Sequence, residues 1–284
     1  MRKVSPVGAH VPAARGLARG GLPYAERVGA ETVQVFLSNP RGWAPSAGDP
    51  AQDAAFREHT GSRGIPVFVH APYLVNVGSP SPDTRDLSVA TIARTLRRAH
   101  AIGARGVVVH TGSAVVPALR EKALVQVRAG LLPLLDEIPD DGPDLLLEPT
   151  AGGGAPLCSR VEDLDEYLAA LGGHPRVGVC LDTCHAFAAG HDLTAERGTR
   201  RMLTALVRAA GKGRLRLVHA NDSKDTAGSL RDRHDNVGAG SIGPAPFADL
   251  LAHPAVRGVP VIVETPGGAD GHGRDIALLK SLRP

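Results

Sequence analysis

Residues 177–193 have the sequence VGVCLDTCHAFAAGHDL, and this stretch is the starting point for predicting the fold. It begins with a short apolar run, VGVCL, which predicts a strand buried on both faces, as in a parallel sheet. The run ends in Asp182, and His185 follows three residues later. One such pair predicts little by itself, because Asp is also a common helix cap.

Seven further apolar runs of this kind occur along the chain, separated by segments long enough for a helix. The eight runs cover residues 7–11, 32–37, 67–69, 106–109, 145–147, 177–181, 215–218 and 259–263. Between them, residues 87–102, 118–135 and 195–210 carry apolar side chains at helical spacing. Eight alternations of strand and helix predict a (β/α)8 barrel, the TIM-barrel fold, with its functional residues at the carboxyl ends of the strands.

The predicted barrel takes up the whole chain. The Pro- and Gly-rich segment 39–50 predicts a long loop after the second strand rather than a domain boundary. We therefore expect residues 1–284 to form one catalytic domain. Glycines follow the helical segments, where a helix C-cap favours positive φ. They are Gly29, Gly64, Gly103 and Gly172.

The composition excludes several classes of protein. With 284 residues, 43% of them hydrophobic, the chain can bury a large core, and its formal charge of +3 tolerates a polyanionic partner without requiring one. Three cysteines are too few for a disulfide framework and indicate a reducing compartment. We find neither the apolar core of a signal peptide nor a run near the ~20 residues of a membrane helix, so we expect a cytoplasmic protein that does not enter a membrane.

Polar residues at the ends of the eight runs form the candidate site. They are His10, Asn39, His70, His110, Glu148, Asp182, His219 and Glu264. Ordinary caps would be mostly Ser, Thr, Asn and Gly, whereas seven of these eight are His, Asp or Glu. Because a barrel brings its strand ends to one face, the set predicts a metal site with more than one ion.

A second group lies after the seventh run, where Asp232 and His234 stand two residues apart. Positions i and i+2 of an extended backbone point the same way, so both side chains could bind one ion, with His185 as a third ligand. Imidazole and carboxylate ligands suit Zn²⁺, with Mn²⁺ or Fe²⁺ as alternatives. Three divalent ions beside four carboxylates would leave about two excess positive charges, which favours an anionic phosphodiester substrate over a sugar.

Five segments carry a resemblance to a known family: LDTCHAFAAG, HAPYLVNVGSP, LLLEPTAGGG, VHANDSK and DRHDNVGAGSIG. The similarity extends in order from residue 8 to residue 282. The chain resembles endonuclease IV (deoxyribonuclease IV), the zinc-dependent apurinic/apyrimidinic endonuclease of base-excision repair. This resemblance implies a (β/α)8 barrel with three zinc ions at the C-terminal face of the strands.

The resemblance also implies the zinc ligands. His70, His110 and Glu148 hold the first ion; Glu148, Asp182, His219 and Glu264 hold the second; and His185, Asp232 and His234 hold the third. Glu148, Asp182 and Glu264 are then the catalytic residues, and Glu264 orients or deprotonates the attacking water. Cys180 and Cys184 flank Asp182, and we expect them to be buried beside the site rather than to bind zinc.

By the same resemblance, the partner is damaged double-stranded DNA and the enzyme is a monomer. The implied reaction cleaves the phosphodiester 5′ to an abasic site, leaving 3′-OH and 5′-deoxyribose phosphate ends, and also removes 3′-phosphate and 3′-phosphoglycolate groups. In the family, side chains enter the gap beside a flipped-out abasic nucleotide. The resemblance places Arg41, Tyr73 and Leu74 at those positions. Further candidates for DNA contact are His10, Lys224, Arg231 and Arg233.

Two other functions are weighed against this one. A sugar isomerase or epimerase of the xylose-isomerase-like superfamily shares the barrel but has no need of a third ligand set. A lesion-binding protein without catalysis is disfavoured by the intact ligands. One departure from the family is Pro149, which follows Glu148 where the family usually has Asn. We expect this change to alter the properties of the bound metals rather than to abolish their binding.

Overall fold

The structure is a computed structural model that describes residues 4–284. Eight parallel strands in this range close into a barrel in which each strand pairs with the next and the last pairs with the first. They are β1 (Val7–His10), β2 (Val33–Phe36), β3 (Val67–His70), β4 (Gly106–His110), β5 (Asp144–Glu148), β6 (Val177–Asp182), β7 (Leu215–His219) and β10 (Val261–Val263). A short antiparallel pair, β8 (Asp222–Ser223) and β9 (His234–Asp235), lies outside the barrel sheet. The predicted (β/α)8 barrel is confirmed.

Helices fill the connections between the strands. They are α1 (Leu22–Arg27), α2 (Pro50–Ser62), α3 (Pro82–Ala101), α4 (Arg120–Asp136), α5 (Leu164–Ala170), α6 (Thr183–Ala188), α7 (Gly198–Ala210), α8 (Pro244–Ala252) and α9 (Gly268–Leu282). Helix α3 begins earlier than its apolar pattern predicts, because Ser81 caps it and Pro82 suits its first turn. The four predicted capping glycines all have positive φ, between 63° and 72°. Within residues 4–284, no helix is both long and apolar enough to span a bilayer.

Strands β3 to β7 each extend one residue beyond the apolar run that predicts them. Their last residues are the polar ones: His70, His110, Glu148, Asp182 and His219. The backbone of these residues still pairs across the sheet, for example His110 with Glu148 and Asp182 with His219. The candidate ligands of these strands therefore stand on the barrel wall itself and not on the loops above it.

An apolar layer closes the barrel beneath the candidate site. Phe68, Val108, Leu146, Cys180, Leu217 and Ile262 form a cluster separate from the larger core between the barrel and its helices. Each of them precedes one of the polar strand-end residues by two positions, as Phe68 precedes His70. Because side chains of a strand alternate between its faces, both sets point into the barrel. The base of the site is therefore apolar.

A one-residue bulge in β7 interrupts its pairing with β6. Leu215 pairs with Val179 and Leu217 pairs with the adjacent Cys180, so Arg216 is the extra residue. A bulge of this kind reverses the alternation of side chains beyond it. Both Leu217 and the last residue of β7 consequently face the barrel interior.

The extra residue has its own partner at the amino-terminal end of the barrel. Arg216 forms an ion pair with Asp144 on β5, and its side chain fills the space beside Gly178, where a Cβ atom would lie 2.7 Å from Cδ of Arg216. Without this bulge, strict alternation would place His219 on the outer face of the barrel. The bulge is thus what brings His219 to the site.

Candidate metal centre

The three predicted ligand sets assemble at the carboxyl ends of the strands. His70, His110 and Glu148 form the first group; Glu148, Asp182, His219 and Glu264 form the second; and His185, Asp232 and His234 form the third. Within each group, one ligand atom from every residue lies within 4.8 Å of the others, so each group could hold a metal ion. Glu148 belongs to two groups, which makes the three a single centre.

The first group is built on the buried carboxylate of Glu148. Its Oε2 lies 3.2 Å from Nε2 of His70 and 3.3 Å from Nε2 of His110. On the other side of the His70 ring, Nδ1 donates a hydrogen bond of 2.6 Å to the carbonyl oxygen of Ala71. A carbonyl partner on the far nitrogen is how proteins commonly orient a metal-binding imidazole.

The second group surrounds Nδ1 of His219, which is fully buried. This nitrogen lies 2.8 Å from Oε1 of Glu148, 3.3 Å from Oε2 of Glu264 and 3.9 Å from Oδ2 of Asp182. Buried Asn221 joins two of these carboxylate residues. Its Nδ2 donates to Oδ2 of Asp182 at 2.7 Å, and its Oδ1 accepts from the backbone N–H of Glu264 at 2.8 Å.

Gln34, which is fully buried on β2, contacts the same group from the opposite side. Its Nε2 donates to Oε1 of Glu264 at 2.6 Å and lies 3.0 Å from Nδ1 of His10. Its Oε1 lies 2.9 Å from Nε2 of His219. The amide of one glutamine therefore touches an imidazole and a carboxylate of the candidate centre at once.

Sequence reasoning does not identify Gln34 or Asn221. For β2 it selects Asn39, the polar residue after the apolar run, yet Asn39 accepts a hydrogen bond from the backbone N–H of Arg41 in the loop. The signal for Gln34 is its position as a polar residue inside the apolar run 32–37. The signal for Asn221 is the motif VHANDSK, in which it follows the end of β7 by two residues.

The third group joins helix α6, which carries His185, to β9 and the loop before it, which carry His234 and Asp232. Nε2 of His185 lies 3.2 Å from Oδ2 of Asp232, and Nε2 of His234 lies 3.0 Å from Oδ1 of the same carboxylate. Nδ1 of His185 donates to the carbonyl oxygen of Pro149 at 3.1 Å. Pro149, the departure from the family pattern, thus contributes a backbone acceptor that does not depend on its side chain.

A buried carboxylate supports the loop that carries the third group. Asp222 accepts four backbone N–H groups, those of Ser223, Gly238, Ile242 and Gly243, at 2.7 to 3.1 Å. Strand β8 pairs with β9, and Ser223 is the register partner of His234. The motif DRHDNVGAGSIG is therefore a loop folded around one carboxylate, which fixes the position of His234.

The donor atoms fit divalent cations. Nε2 of His234 is buried and makes no hydrogen bond, although carboxylate oxygens of Asp232 and Asp182 lie 3.0 and 3.5 Å away. Among the described residues, the ion pairs of Glu148 and Asp182 are formed with histidines and not with Lys or Arg. Buried carboxylates need a cationic partner, and imidazole with carboxylate is a donor set that suits zinc.

Electrostatics within the centre couples its acids to its histidines. Burial by itself would raise the pKa of Glu148, but His219 and the two other neighbouring imidazoles hold it well below its usual value. Burial lowers the pKa of His219, yet Cys180 and the adjacent carboxylates raise it well above its usual value. For His234, Asp182 and its neighbours outweigh burial and raise the pKa to about 9. Divalent cations would compete with these protons for the same nitrogens.

The cysteines beside the centre are thiols. Cys180 and Cys184 are fully buried, as expected, and the chain's third cysteine, Cys158, is also free. Burial raises the pKa of both the Cys180 and the Cys184 thiol to about 12. Because only a thiolate binds a metal well, imidazole and carboxylate are the better ligands here.

Tyr73 and Leu74 stand at the mouth of the centre on the β3–α3 loop. The ring of Tyr73 lies 5.4 Å from that of His70 and 5.7 Å from that of His110, measured between centroids. The two side chains are 46% and 38% exposed, which is high for large apolar groups. The backbone N–H of Tyr73 donates to the carbonyl oxygen of Pro40, which ties this loop to the exposed Arg41.

The loop that carries Arg41 is fixed by an arginine from α3. Arg98 donates to the carbonyl oxygen of Leu37 at 2.6 Å and forms a two-pronged contact with Asp53 at 3.1 and 3.2 Å. It also lies 3.5 Å from Oγ of Ser46. One guanidinium thus connects the two ends of the segment 39–50.

The remaining basic candidates lie on one loop near Asp232 or within the centre. Lys224, Arg231 and Arg233 are exposed on the loop between β8 and β9. Arg233 pairs with Asp225 through Nε at 2.7 Å and through a second, closer contact of Nη2, and Arg231 lies 3.6 Å from the same carboxylate. His10 lies against Glu264 in the centre.

The fold and sequence match known proteins across nearly the whole chain. Residues 22–282 match the family described as xylose isomerase-like TIM barrel. A protein of Streptomyces coelicolor described as a probable endonuclease 4 is 58% identical over 280 residues, which cover 98% of this chain and 95% of that protein.

Solved structures agree with the sequence comparison. Endonuclease IV from Thermus thermophilus is 34% identical, with a TM-score of 0.85 and 98% of both chains covered. A D-tagatose 3-epimerase-like protein is 18% identical, with a TM-score of 0.70 over 97% of this chain and 96% of its own, and that likeness shows the fold alone. By its sequence identity to full-length relatives, the chain belongs to the endonuclease IV family of xylose isomerase-like TIM barrels.

Proposed function

We propose that this chain is a zinc-dependent AP endonuclease of DNA repair. It cleaves double-stranded DNA on the 5′ side of an abasic site and leaves 3′-OH and 5′-deoxyribose phosphate ends. It also removes 3′-phosphate and 3′-phosphoglycolate groups from blocked ends, and it acts as a monomer. The observation that carries the proposal is the meeting of three donor groups at one end of the barrel. Its family membership supports the same function.

Each donor group would hold one zinc ion, with Mn²⁺ as an alternative at one or more positions. Glu148 would serve two ions, since its two oxygens face different groups. When bound, the ions supply positive charge for the phosphodiester and lower the pKa of coordinated water. Their combined charge also exceeds that of the carboxylates, which suits an anionic substrate.

Glu264 is the residue best placed to handle the attacking water. Oε1 of Glu264 is engaged by Gln34 and lies 3.3 Å from Nδ1 of His10, so Oε2 is the oxygen that faces His219 and the centre. Burial opposes ionisation, but His219 and His10 hold the pKa of Glu264 far below its usual value. A carboxylate ionised at neutral pH can accept a hydrogen bond from water and orient it toward phosphorus.

Side chains at the mouth would recognise the damaged duplex. Tyr73 and Leu74 are exposed apolar groups next to the first donor group, and an apolar side chain can replace lost stacking beside a flipped-out nucleotide. Arg41 would enter the same gap from the adjacent loop. A missing base lowers the cost of flipping, which favours an abasic site over intact DNA.

Basic residues around the mouth would bind the phosphate backbone. Lys224 and Arg231 are exposed, and Arg233 is held in place by Asp225. His10 would contribute from within the centre. Phosphate contacts of this kind fix the register of a protein on DNA without reading its sequence.

The sugar isomerase alternative shares the barrel, and the epimerase-like neighbour at 18% identity adds only the fold. A metal-dependent isomerase would use the first two groups at most. The third group, His185, Asp232 and His234, argues for the phosphodiester reaction. So do the exposed apolar residues at the mouth.

The decisive experiment is incision of a labelled duplex that contains one tetrahydrofuran abasic analogue. The analogue cannot undergo β-elimination, so any cut is hydrolytic. We expect a nick 5′ to the analogue with a 3′-OH end, no cut in an undamaged duplex, and loss of cutting in Glu264→Gln. If zinc-loaded wild-type protein binds the abasic duplex but never cuts it, the chain is a lesion-binding protein. If it neither binds nor cuts, DNA repair is excluded and sugar isomerisation is the next assay.

A further inference from the structure

We infer that Gln34 is a positioning residue for the second donor group: its amide selects the ring nitrogen of His219 that faces the centre and fixes the orientation of Glu264. This inference rests on the proposed function, because it assigns zinc to that group. Gln34 is not one of the nine predicted ligands, and it acts through two of them, His219 and Glu264.

The orientation of the Gln34 amide follows from Glu264. An ionised carboxylate only accepts hydrogen bonds, so the atom of Gln34 that lies 2.6 Å from Oε1 of Glu264 must be the Nε2 donor. The other end of the amide, Oε1, then faces His219. Since the amide is fully buried, bulk solvent does not compete for either end of it.

The orientation of the amide in turn fixes the tautomer of His219. Oε1 of Gln34 only accepts, so Nε2 of His219, at 2.9 Å, must carry a proton. With one proton placed on Nε2, a neutral His219 has its lone pair on Nδ1. That is the atom that faces Glu148, Glu264 and Asp182. The metal-binding nitrogen is therefore set by a hydrogen bond on the opposite side of the ring.

His10 extends the same chain of hydrogen bonds. Nε2 of the Gln34 amide lies 3.0 Å from Nδ1 of His10, and this Nδ1 also lies 3.3 Å from Oε1 of Glu264. Gln34 thus contacts two imidazoles and one carboxylate through a single buried side chain.

The test compares two buried glutamines. Gln34→Met keeps the length of the side chain and removes the three contacts of the amide, with Glu264, His219 and His10. Gln52→Met is the control, because Gln52 on α2 is also buried and accepts a hydrogen bond from the backbone N–H of Arg19, in the segment between β1 and α1. Both changes should lower the stability of the metal-free protein, and the loss should be larger in Gln34→Met, which removes three polar contacts against one in Gln52→Met.

The readout is zinc affinity, measured by competition with a chromogenic chelator and checked by metal analysis. We expect Gln34→Met to weaken one of the three zinc equivalents by about 10- to 100-fold and to leave the other two unchanged, because partners of metal ligands have effects of this size. Gln52→Met should keep wild-type affinity for all three. Wild-type affinity in Gln34→Met would overturn the inference. Wild-type protein that binds no zinc would overturn the proposed function along with it.

A second measurement reads the tautomer directly in the wild-type protein and uses a variant only to assign the signal. In zinc-loaded protein labelled with ¹⁵N-histidine, long-range ¹H–¹⁵N spectra report which nitrogen of each ring carries the proton. We expect a proton on Nε2 of His219, assigned by its absence in His219→Asn. A proton on Nδ1 of His219 would refute the role of Gln34.

Discussion

A Cβ atom added to Gly240 would lie 2.6 Å from Oδ1 of Asp222, so these two residues can be neighbours only because position 240 has no side chain. The same atom would come within 2.4 Å of the carbonyl oxygen of Ser223. The glycine allows the loop to wrap closely around the buried carboxylate. Asp222 lies in the segment VHANDSK and Gly240 in DRHDNVGAGSIG, so the contact links two of the segments that carry the resemblance to endonuclease IV.

Asp222→Asn tests the role of that carboxylate. Each oxygen of Asp222 accepts two backbone N–H groups, and an amide would turn its own N–H groups toward two of them. We expect the free energy of unfolding of metal-free protein to fall by about 2–3 kcal/mol in urea titrations. The third zinc equivalent should also bind more weakly, because the loop carries Asp232 and His234. Asp249→Asn, an exposed residue of α8, is the control, and equal stability of the two variants would contradict the prediction.

Zinc stoichiometry distinguishes the shared ligand from an unshared one. Glu148 belongs to two donor groups, whereas Asp232 belongs to one. After dialysis against a weak chelator, we expect Glu148→Gln to retain about one zinc ion per chain and Asp232→Asn about two, against three in wild type. Metal analysis by mass spectrometry gives these values directly. A loss of one ion in both variants would show that Glu148 does not bridge.

Leu74→Ala tests the apolar contact with DNA. We expect affinity for a duplex with a tetrahydrofuran site to fall by about tenfold, since the side chain would no longer be buried against the gap. Zinc content should stay at the wild-type value. Leu87→Ala is the matched control, because Leu87 on α3 is 41% exposed and Leu74 is 38% exposed. Fluorescence anisotropy measures both affinities, and equal effects would exclude a specific contact.

Arg98→Ala tests whether the loop of Arg41 must be held in place. Arg98 connects Leu37 and Asp53 across the segment 39–50, and its removal should loosen that loop. We expect faster proteolytic cleavage within residues 39–50 and about tenfold weaker binding to abasic DNA, at unchanged zinc content. Arg97→Ala removes an exposed neighbour of the same charge and should leave both properties unchanged. Wild-type proteolysis in Arg98→Ala would contradict the prediction.

The acid side of the stability profile depends partly on Glu31. Burial opposes ionisation of Glu31, but Arg283, the backbone N–H of Val7 and Lys280 lower its pKa below the usual 4.5. A pKa lowered by folding gives stability that is present above pH 4.5 and is lost as the pH falls through the folded-state value. At pH 6 we expect the free energy of unfolding of wild type to exceed that of Glu31→Gln by less than about 1 kcal/mol, because the ion pair of Glu31 with Arg283 is partly exposed. Urea unfolding should show this difference in unfolding free energy shrink as the pH falls below 4.5.

Much of the fold could be predicted because two signals coincide in the sequence. Eight apolar runs mark the strands, and a His, Asp or Glu follows most of them, so the barrel and the direction of its functional face emerge together. All nine predicted ligands then meet in the structure. The strands extend one residue farther than their apolar runs because a ligand such as Glu148 is buried, which hydropathy does not reveal.

Other features depend on contacts that a linear pattern does not contain. Gln34 looks like an exception within an apolar strand until His219 and Glu264 are brought beside it. Asn221 lies in a quoted motif, but its function requires Asp182 from another strand. In a single sequence the signal of such residues does not reveal their role: Gln34 is only a polar residue within an apolar run, and Asn221 is only one position of a motif.

Because β7 contains an extra residue, the position of His219 depends on the length of the strand. If one residue were deleted from that strand, the sheet would still form and its composition would still be apolar, yet inner and outer positions would be exchanged from the deletion to the strand end. His219 would then leave the centre without any substitution. The position of His219 in the centre therefore depends on the number of residues in β7 as well as on their identity.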